Sequence, residues 1–180
     1  YLHISKYNMF SAGEFMKEID ITPSTDKREL VAGEYGFEQL EVGDWYVTAG
    51  ITVTEAHIVG FAGLSGDLFD VHMDDEFARE AGFPGRIAHG LLGLAMADGL
   101  KTRCAVRLLG IATLGWNWSF RAPLLPNDRI HARMSVLSKR ETRNKDRGIA
   151  TFKMSVINQR SETIQDGETQ LLMRVSQPVY

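Results

Sequence analysis

A carboxylate and an imidazole stand five positions apart in one short segment. The segment reads Gly66-Asp67-Leu68-Phe69-Asp70-Val71-His72, and a non-helical turn of this length can bring Asp67 and His72 to face one small site. Such a pair can hold one water molecule through both groups and take its proton. The spacing therefore predicts acid–base chemistry on water. The structural alternative is that Asp67 caps a turn and His72 fills a gap in the core.

A second candidate group is the backbone N–H of Gly90, which opens a strongly apolar segment. The first N–H groups of a helix have no acceptor within the helix, and they lie at the positive end of the helix dipole. A donor of this kind suits an oxygen on which negative charge develops during a reaction. The structural alternative is that glycine is needed here for close packing at the helix entrance.

Three helices are predicted between the first strand and the others. They cover Glu55–Gly63, Asp75–Ala81 and a long segment from His89 to about Leu109. Residues 91–97, in the first half of the third helix, are apolar on every side, and this pattern predicts a helix that is buried all round.

Five strands are predicted from apolar residues that alternate with polar ones. They cover Trp45–Val53, Trp116–Phe120, Ile130–Val136, Ala150–Val156 and Leu171–Val175. The last four are joined by loops too short for crossover helices, so they pair antiparallel. We therefore predict an α+β fold in which an antiparallel sheet of about five strands wraps around a long central helix. An open edge strand favours a homodimer or an assembly of dimers.

Residues 1–34 differ from the rest and are interpreted as an N-terminal arm and linker, with a short helix after Ser11. Residues 35–180 form the predicted domain.

Composition excludes several classes of function. The chain of 180 residues has 20 basic and 23 acidic side chains and a net charge of -3, which argues against nucleic-acid binding. No run of 18 apolar residues predicts a membrane span. The single cysteine, Cys104, excludes a zinc site built from cysteines and favours a reducing, cytoplasmic setting. No metal-binding motif is present.

These motifs resemble the MaoC-like dehydratase family, the R-specific enoyl-CoA hydratases with a hot-dog fold. Gly66, Asp67 and His72 match the family signature Gly-Asp-x-Asn-Pro-x-His, whereas Phe69 and Asp70 replace its Asn and Pro. His89-Gly90 matches the His-Gly that precedes the family's long helix. The resemblance covers residues 35–175. The variant with Phe69 is similar to hydratase domains that act on ring-derived acyl-CoA in the phenylacetate pathway.

The resemblance implies reversible hydration of a trans-2-enoyl-CoA, or dehydration of an R-3-hydroxyacyl-CoA, with no metal or organic cofactor. In this interpretation Asp67 and His72 activate water, and the Gly90 N–H binds the thioester oxygen. The residues expected to contact the acyl-CoA substrate are Phe69, Ser65, His89, Asp98 and Arg121. Asp98 fits the solvent-facing side of the helix equally well.

Two other functions remain open. Hot-dog proteins include thioesterases, in which a carboxylate directs water at the thioester carbon. The replacements at Phe69 and Asp70 also leave open an acyl-CoA binding module that has lost turnover.

Overall fold

The computed structural model describes residues 26–176, so the helix predicted after Ser11 lies outside the described residues. Within this range the chain forms nine strands and four α-helices. The strands are β1 (Arg28–Glu29), β2 (Gly33–Tyr35), β3 (Asp44–Val47), β4 (Ile51–Thr52), β5 (Val106–Leu108), β6 (Gly110–Phe120), β7 (Arg129–Glu141), β8 (Arg147–Ile157) and β9 (Thr163–Arg174). The helices are α1 (Glu55–Ser65), α2 (Asp70–Met73), α3 (Asp75–Glu80) and α4 (Gly90–Leu100). None of these helices is long and apolar enough to cross a membrane.

One sheet contains most of the strands, in the order β1-β3-β7-β8-β9-β6, and β4 also pairs with β7. The β7–β8, β8–β9, β6–β9 and β3–β7 pairs are all antiparallel. Short loops explain the pairs β7–β8 and β8–β9, because they leave no room for a crossover between those strands. β6 differs from the expectation for consecutive strands: a short loop joins it to β7, but it pairs with β9 at the end of the sheet. The predicted α+β architecture is confirmed. The short strands β2 and β5 form a separate parallel pair.

The core lies between this sheet and α4. Leu92, Ala97 and Leu100 of α4 are buried against it. Alternate side chains of the central strands point inward and are at most 1% exposed, namely Ile130, Ala132, Met134, Val136, Ala150, Phe152, Met154 and Val156. Each large apolar side chain contributes about 1.5–3 kcal/mol when it is fully removed from water. Leu92 and Ala97 of α4 belong to the same buried cluster as these strand residues, so the helix packs on the inner face of the sheet.

The central helix is shorter than its apolar pattern predicts. It ends at Leu100 rather than near Leu109, and a single 3-10 turn over Lys101–Arg103 follows it. Val106–Leu108 then pairs with β2 as strand β5, so the apolar residues counted as helix satisfy their backbone groups in a sheet. The prediction of burial on every side is also wrong for the single chain, because Leu91 is 62% exposed.

The first predicted strand is divided into two. β3 ends at Val47 and β4 begins at Ile51, and both pair with β7. Thr48 lies in the gap, where its N–H donates to the Ala132 carbonyl and its Oγ1 accepts from the Ala132 N–H. The buried face of β3 carries Tyr46 rather than Trp45 and Val47.

Residues that precede Tyr35 pack against the domain. Arg28 in β1 binds the carboxylate of Asp44, which is 1% exposed, through two hydrogen bonds of 2.9 and 2.5 Å. β1 pairs with β3. The division at residue 34 stays a prediction, since residues 1–25 lie outside the described part of the chain.

Candidate active site

The loop after α1 is shaped by its own side chains. Gly66 ends α1 with a left-handed backbone (φ 77°), which glycine adopts at little cost. The hydroxyl of Ser65 donates to the Phe61 carbonyl (2.7 Å) and accepts from the Asp67 N–H (3.2 Å). Asp67 Oδ1 in turn accepts from the Phe69 N–H (3.3 Å). Ser65 therefore holds the loop, and its expected contact with substrate stays a prediction.

His72 lies in α2, a helix of one turn, and this corrects the expectation of a wholly non-helical segment. Its Nδ1 lies 2.8 Å from the Ile87 carbonyl oxygen. A carbonyl only accepts hydrogen bonds, so Nδ1 carries the proton and Nε2 of the neutral ring carries the lone pair. The second nitrogen can therefore accept a proton from water.

Burial lowers the pKa of His72 below its ordinary value of 6.5. The Ile87 carbonyl and the charge of Asp67 oppose this effect, whereas His89 adds to it. The net result is an imidazole that is neutral at pH 7, which is the state required of a general base.

His89 is buried beneath this loop, with 2% of its surface exposed. Its Nε2 donates to the backbone carbonyl of Asp67 (2.9 Å). Its ring stacks on that of His72 and packs against Phe61, with centroid distances of 3.9 and 5.0 Å. His89 thus supports both members of the pair from the protein side.

Asp67, His72 and His89 converge on one place. Taking one side-chain nitrogen or oxygen from each residue, these atoms all lie within 4.8 Å of one another. Two hydrogen bonds of about 2.8 Å each can span such a distance through one water molecule. Each ring has one nitrogen hydrogen-bonded to a backbone carbonyl, as metal-binding histidines also have, so the same three residues could hold a metal ion as well as a water molecule.

Gly90 is the first residue of α4 and follows His89 directly. A Cβ atom built on Gly90 would lie 2.6 Å from Cε1 of Phe120, so the close-packing alternative applies to this residue. As the first N–H of α4, the Gly90 N–H has no acceptor within the helix. The packing and donor roles are therefore compatible.

The remaining predicted contacts are spread out. Phe69 is 60% exposed and lies edge-on to His72 and Phe77. Arg121 is paired with Asp166 (2.7 Å). Asp98 is paired with Lys101, and it lies eight residues, or about 12 Å, along α4 from Gly90. The structure brings neither Arg121 nor Asp98 into the group formed by Asp67, His72 and His89.

Sequence reasoning missed Gln165 in β9, which is 1% exposed and donates to the Gly90 carbonyl (3.0 Å). The available signal was its phase, because it alternates in register with buried Thr169, Leu171 and Met173. A polar residue on the buried face of a strand requires partners.

A comparison with known families identifies the family of this chain. A family model described as "MaoC like domain" covers residues 38–157. The chain belongs to the MaoC-like family. The resemblance inferred from Gly66, Asp67, His72 and His89-Gly90 is confirmed.

Two curated relatives of this MaoC-like chain differ in how much they share with it. It is 41% identical to Protein MaoC of Klebsiella aerogenes over 104 residues, which cover 57% of this chain and 31% of that protein. It is 31% identical to the (R)-specific enoyl-CoA hydratase of Aeromonas caviae over 113 residues, which cover 63% of this chain and 81% of that protein. The chain thus spans about a third of the Klebsiella protein.

Solved structures agree on the fold. The MaoC-like dehydratase from Rhodospirillum rubrum has a TM-score of 0.73 and 30% identity, over 79% of this chain and 99% of that one. A conserved hypothetical protein from Mycobacterium tuberculosis, described as having a double hotdog fold, has a TM-score of 0.69 and 19% identity, over 84% of this chain and 47% of that one. The MaoC-like chain therefore has the hot-dog fold that its motifs implied.

Proposed function

We propose that the protein is a hydro-lyase that reversibly adds water to a trans-2-enoyl-CoA, the reverse reaction being dehydration of an R-3-hydroxyacyl-CoA. The family and the relatives named as hydratases support hydratase or dehydratase chemistry in general. The observation that carries the specific proposal is the proton arrangement at His72. Its Nδ1 donates to the Ile87 carbonyl, which leaves Nε2 as an acceptor beside the carboxylate of Asp67.

In the proposed reaction, the thioester carbonyl oxygen accepts a hydrogen bond from the Gly90 N–H. This bond stabilises the negative charge that moves onto the oxygen when C3 is attacked. Water bound by Asp67 and His72 forms the new C3–O bond, and His72 Nε2 takes the proton released. That proton is delivered to C2 on the same face, directly or through Asp67, so one C=C bond and one water O–H bond are lost while C–O and C–H bonds form.

The decisive experiment compares variants of the pair with matched controls. Asp67→Asn and His72→Gln are expected to lower kcat on trans-2-butenoyl-CoA by about 10²–10⁴-fold, the usual value of general acid–base catalysis. Asp70→Asn removes the same charge three residues away, at the start of α2, and His131→Gln removes an imidazole from β7. Both controls are expected to retain wild-type rates. Near-wild-type rates for both Asp67→Asn and His72→Gln would overturn the proposal.

The same assays separate the two other functions. Release of free thiol from a saturated acyl-CoA, without hydration of the enoyl form, would identify a thioesterase. Tight acyl-CoA binding with no turnover on any enoyl thioester would identify a binding module. The proposal needs no metal or organic cofactor, so prior treatment with a chelator is expected to leave the rate unchanged.

Phe69 is the residue we propose for acyl-group selection. It is 60% exposed and lies 6.4 Å from His72 between ring centroids, so an apolar acyl group bound at the pair can contact it. We expect ring-derived and branched enoyl-CoAs to be accepted. Phe69→Asn is expected to move the preference, as a ratio of kcat/KM values, toward short straight chains.

We also propose that the protein is a homodimer that pairs through β6 and acts in the cytoplasm. β6 is an end strand of the sheet, and its side chains Ile111, Leu114 and Phe120 are 43%, 49% and 50% exposed. Unpaired strand edges of this length favour association with a second copy. Leu114→Lys is expected to yield monomers by light scattering. Val59→Lys, on the exposed face of α1, is the control that stays dimeric.

A further inference from the structure

The buried amide of Gln165 connects the sheet to the first turn of α4. Its Nε2 donates to the carbonyl of Gly90 (3.0 Å), and its Oε1 accepts from Nε1–H of Trp118 (3.0 Å). An indole N–H only donates and a carbonyl only accepts, so these two contacts fix the orientation of the amide. Both polar atoms of the Gln165 side chain are therefore satisfied within the protein.

Two glycines leave room for this amide and its hydrogen-bond partners. A Cβ atom built on Gly93, one turn after Gly90, would lie 2.3 Å from Gln165 Nε2. Any side chain at position 93 would therefore displace the amide from the helix. On β6, Trp118 lies opposite Gly167 of β9, where a Cβ would come within 2.7 Å of the indole ring. Glycine thus permits close approach on both sides of the chain of hydrogen bonds.

The carbonyl that Gln165 holds belongs to the residue whose N–H is the proposed oxyanion donor. The position of that N–H depends on how the first turn of α4 sits against the sheet. A helix terminus ordinarily frays, since its first residues have few hydrogen bonds within the helix. The Gln165 amide supplies a bond from outside the helix at this point.

We infer that Gln165 is a positioning residue, which holds the first turn of α4 so that the Gly90 N–H meets the thioester oxygen in the transition state. This inference rests on the proposed hydratase function. It assigns no contact between Gln165 and the substrate. Its action passes through Gly90, and Trp118 orients the amide.

The test compares three variants. Gln165→Met fills the space but removes both hydrogen bonds, and it is expected to lower kcat at least tenfold with little change in KM. Thr169→Val is the matched control, because Thr169 is equally buried in β9 but donates to the Gly115 carbonyl of β6. It is expected to lose stability and to keep its kcat.

Gln165→Glu gives the sharper measurement. A buried carboxyl group has a raised pKa. When protonated it can donate to the Gly90 carbonyl and accept from Trp118, whereas its ionised form places a negative charge against that carbonyl. The ratio of variant to wild-type kcat is therefore expected to be near one at low pH and to fall as pH rises. Taking the ratio cancels the titration of His72.

The outcomes distinguish the positioning role of Gln165 from the proposed hydratase function on which it rests. A wild-type protein that turns over no enoyl thioester would refute the hydratase function itself. If the wild type is active, two results would overturn the positioning role alone. One is an equal loss of kcat in Gln165→Met and Thr169→Val. The other is a ratio of Gln165→Glu to wild-type kcat that does not change with pH. If Gln165→Met fails to fold, the pH series of Gln165→Glu decides.

Discussion

His72 and His89 stack on one another, with ring centroids 3.9 Å apart and planes inclined by 30°. Their hydrogen bonds are reciprocal. His72 donates to the carbonyl of Ile87, two residues before His89, and His89 donates to the carbonyl of Asp67, five residues before His72. Each imidazole therefore fixes the segment that carries the other, and each ring is held in a defined orientation.

The first prediction concerns the acid side of the pH–rate profile. His72 must be neutral to accept a proton, and burial places its pKa below 6.5. The rate is therefore expected to fall on the acid side with a midpoint below pH 6.5, the ordinary value for histidine. The profile of kcat/KM reports this group in the free enzyme. An acid limb with its midpoint above pH 6.5 would contradict the assignment.

A second prediction concerns His89. His89→Phe preserves a ring against His72 but removes the donor to the Asp67 carbonyl, and we expect a loss of stability of about 1 kcal/mol. It also removes one cause of the lowered pKa of His72, so the acid limb of the profile moves to higher pH. His89→Leu removes the ring as well and is expected to reduce kcat further. Equal profiles for wild type and His89→Phe would show that the two rings are not coupled.

The third prediction is a rescue at the helix entrance. In Gly90→Ala the new methyl group would meet the Phe120 ring at 2.6 Å, and overpacking of this kind costs about 1–3 kcal/mol. Both stability and kcat are expected to fall. Phe120→Leu shortens the half-exposed side chain, so the double variant is expected to recover most of both losses. If the double variant is as impaired as Gly90→Ala, the defect has another cause than this contact.

A fourth prediction uses the buried carboxylate of Asp44. Burial raises its pKa, but the hydrogen bonds from Arg28 and the Glu41 N–H outweigh this effect and hold the pKa below its ordinary value of 3.8. A lowered pKa in the folded state contributes stability above the unfolded value, and this contribution is lost as pH falls through the folded pKa. Asp44→Asn is therefore expected to cost about 1–3 kcal/mol at pH 7.

Urea unfolding of wild type and Asp44→Asn at several pH values measures this difference. The difference is expected to be constant at neutral pH and to shrink below about pH 4, where the unfolded carboxyl group becomes protonated. Asp146→Asn, in the exposed β7–β8 hairpin, is the control for a lost surface charge. A difference that does not depend on pH would show that Asp44 acts through packing rather than through its charge.

Strand alternation predicted the central sheet well, because β7, β8 and β9 are buried on one face only. The alternating pattern alone was enough to predict the strands at Ile130–Val136 and Ala150–Val156 and their inward-facing residues. The alternation predicted the wrong inward face in β3, where pairing with a neighbouring strand matters more than the apolar pattern. In β3 the inward position is taken by Tyr46 while Val47 is 41% exposed, since the register with β7 decides which face is inside.

The candidate site also has a part that local sequence predicts and a part that depends on the fold. Asp67, His72 and Gly90 were candidates by residue type and spacing, because local sequence determines a loop and a helix start, and the family resemblance implied their roles. The roles of His89 and Gln165 depend on partners 22 and 75 positions away. No local sequence pattern predicts that His89 donates to the Asp67 carbonyl or that Gln165 donates to the Gly90 carbonyl, so these contacts are known only from the fold. The extent of α4 failed for a related reason, since pairing with β2 converts its apolar continuation into a strand.

The contact between Gly93 and the Gln165 amide has an evolutionary consequence. With a Cβ at position 93 only 2.3 Å from the amide nitrogen, the two positions cannot drift independently. A descendant that acquires alanine in the helix must first, or at the same time, shorten the residue in the strand 72 positions later. Homologous chains are therefore expected to show the two sites changing together, and hybrid proteins that exchange α4 without β9 are expected to inherit a mismatch.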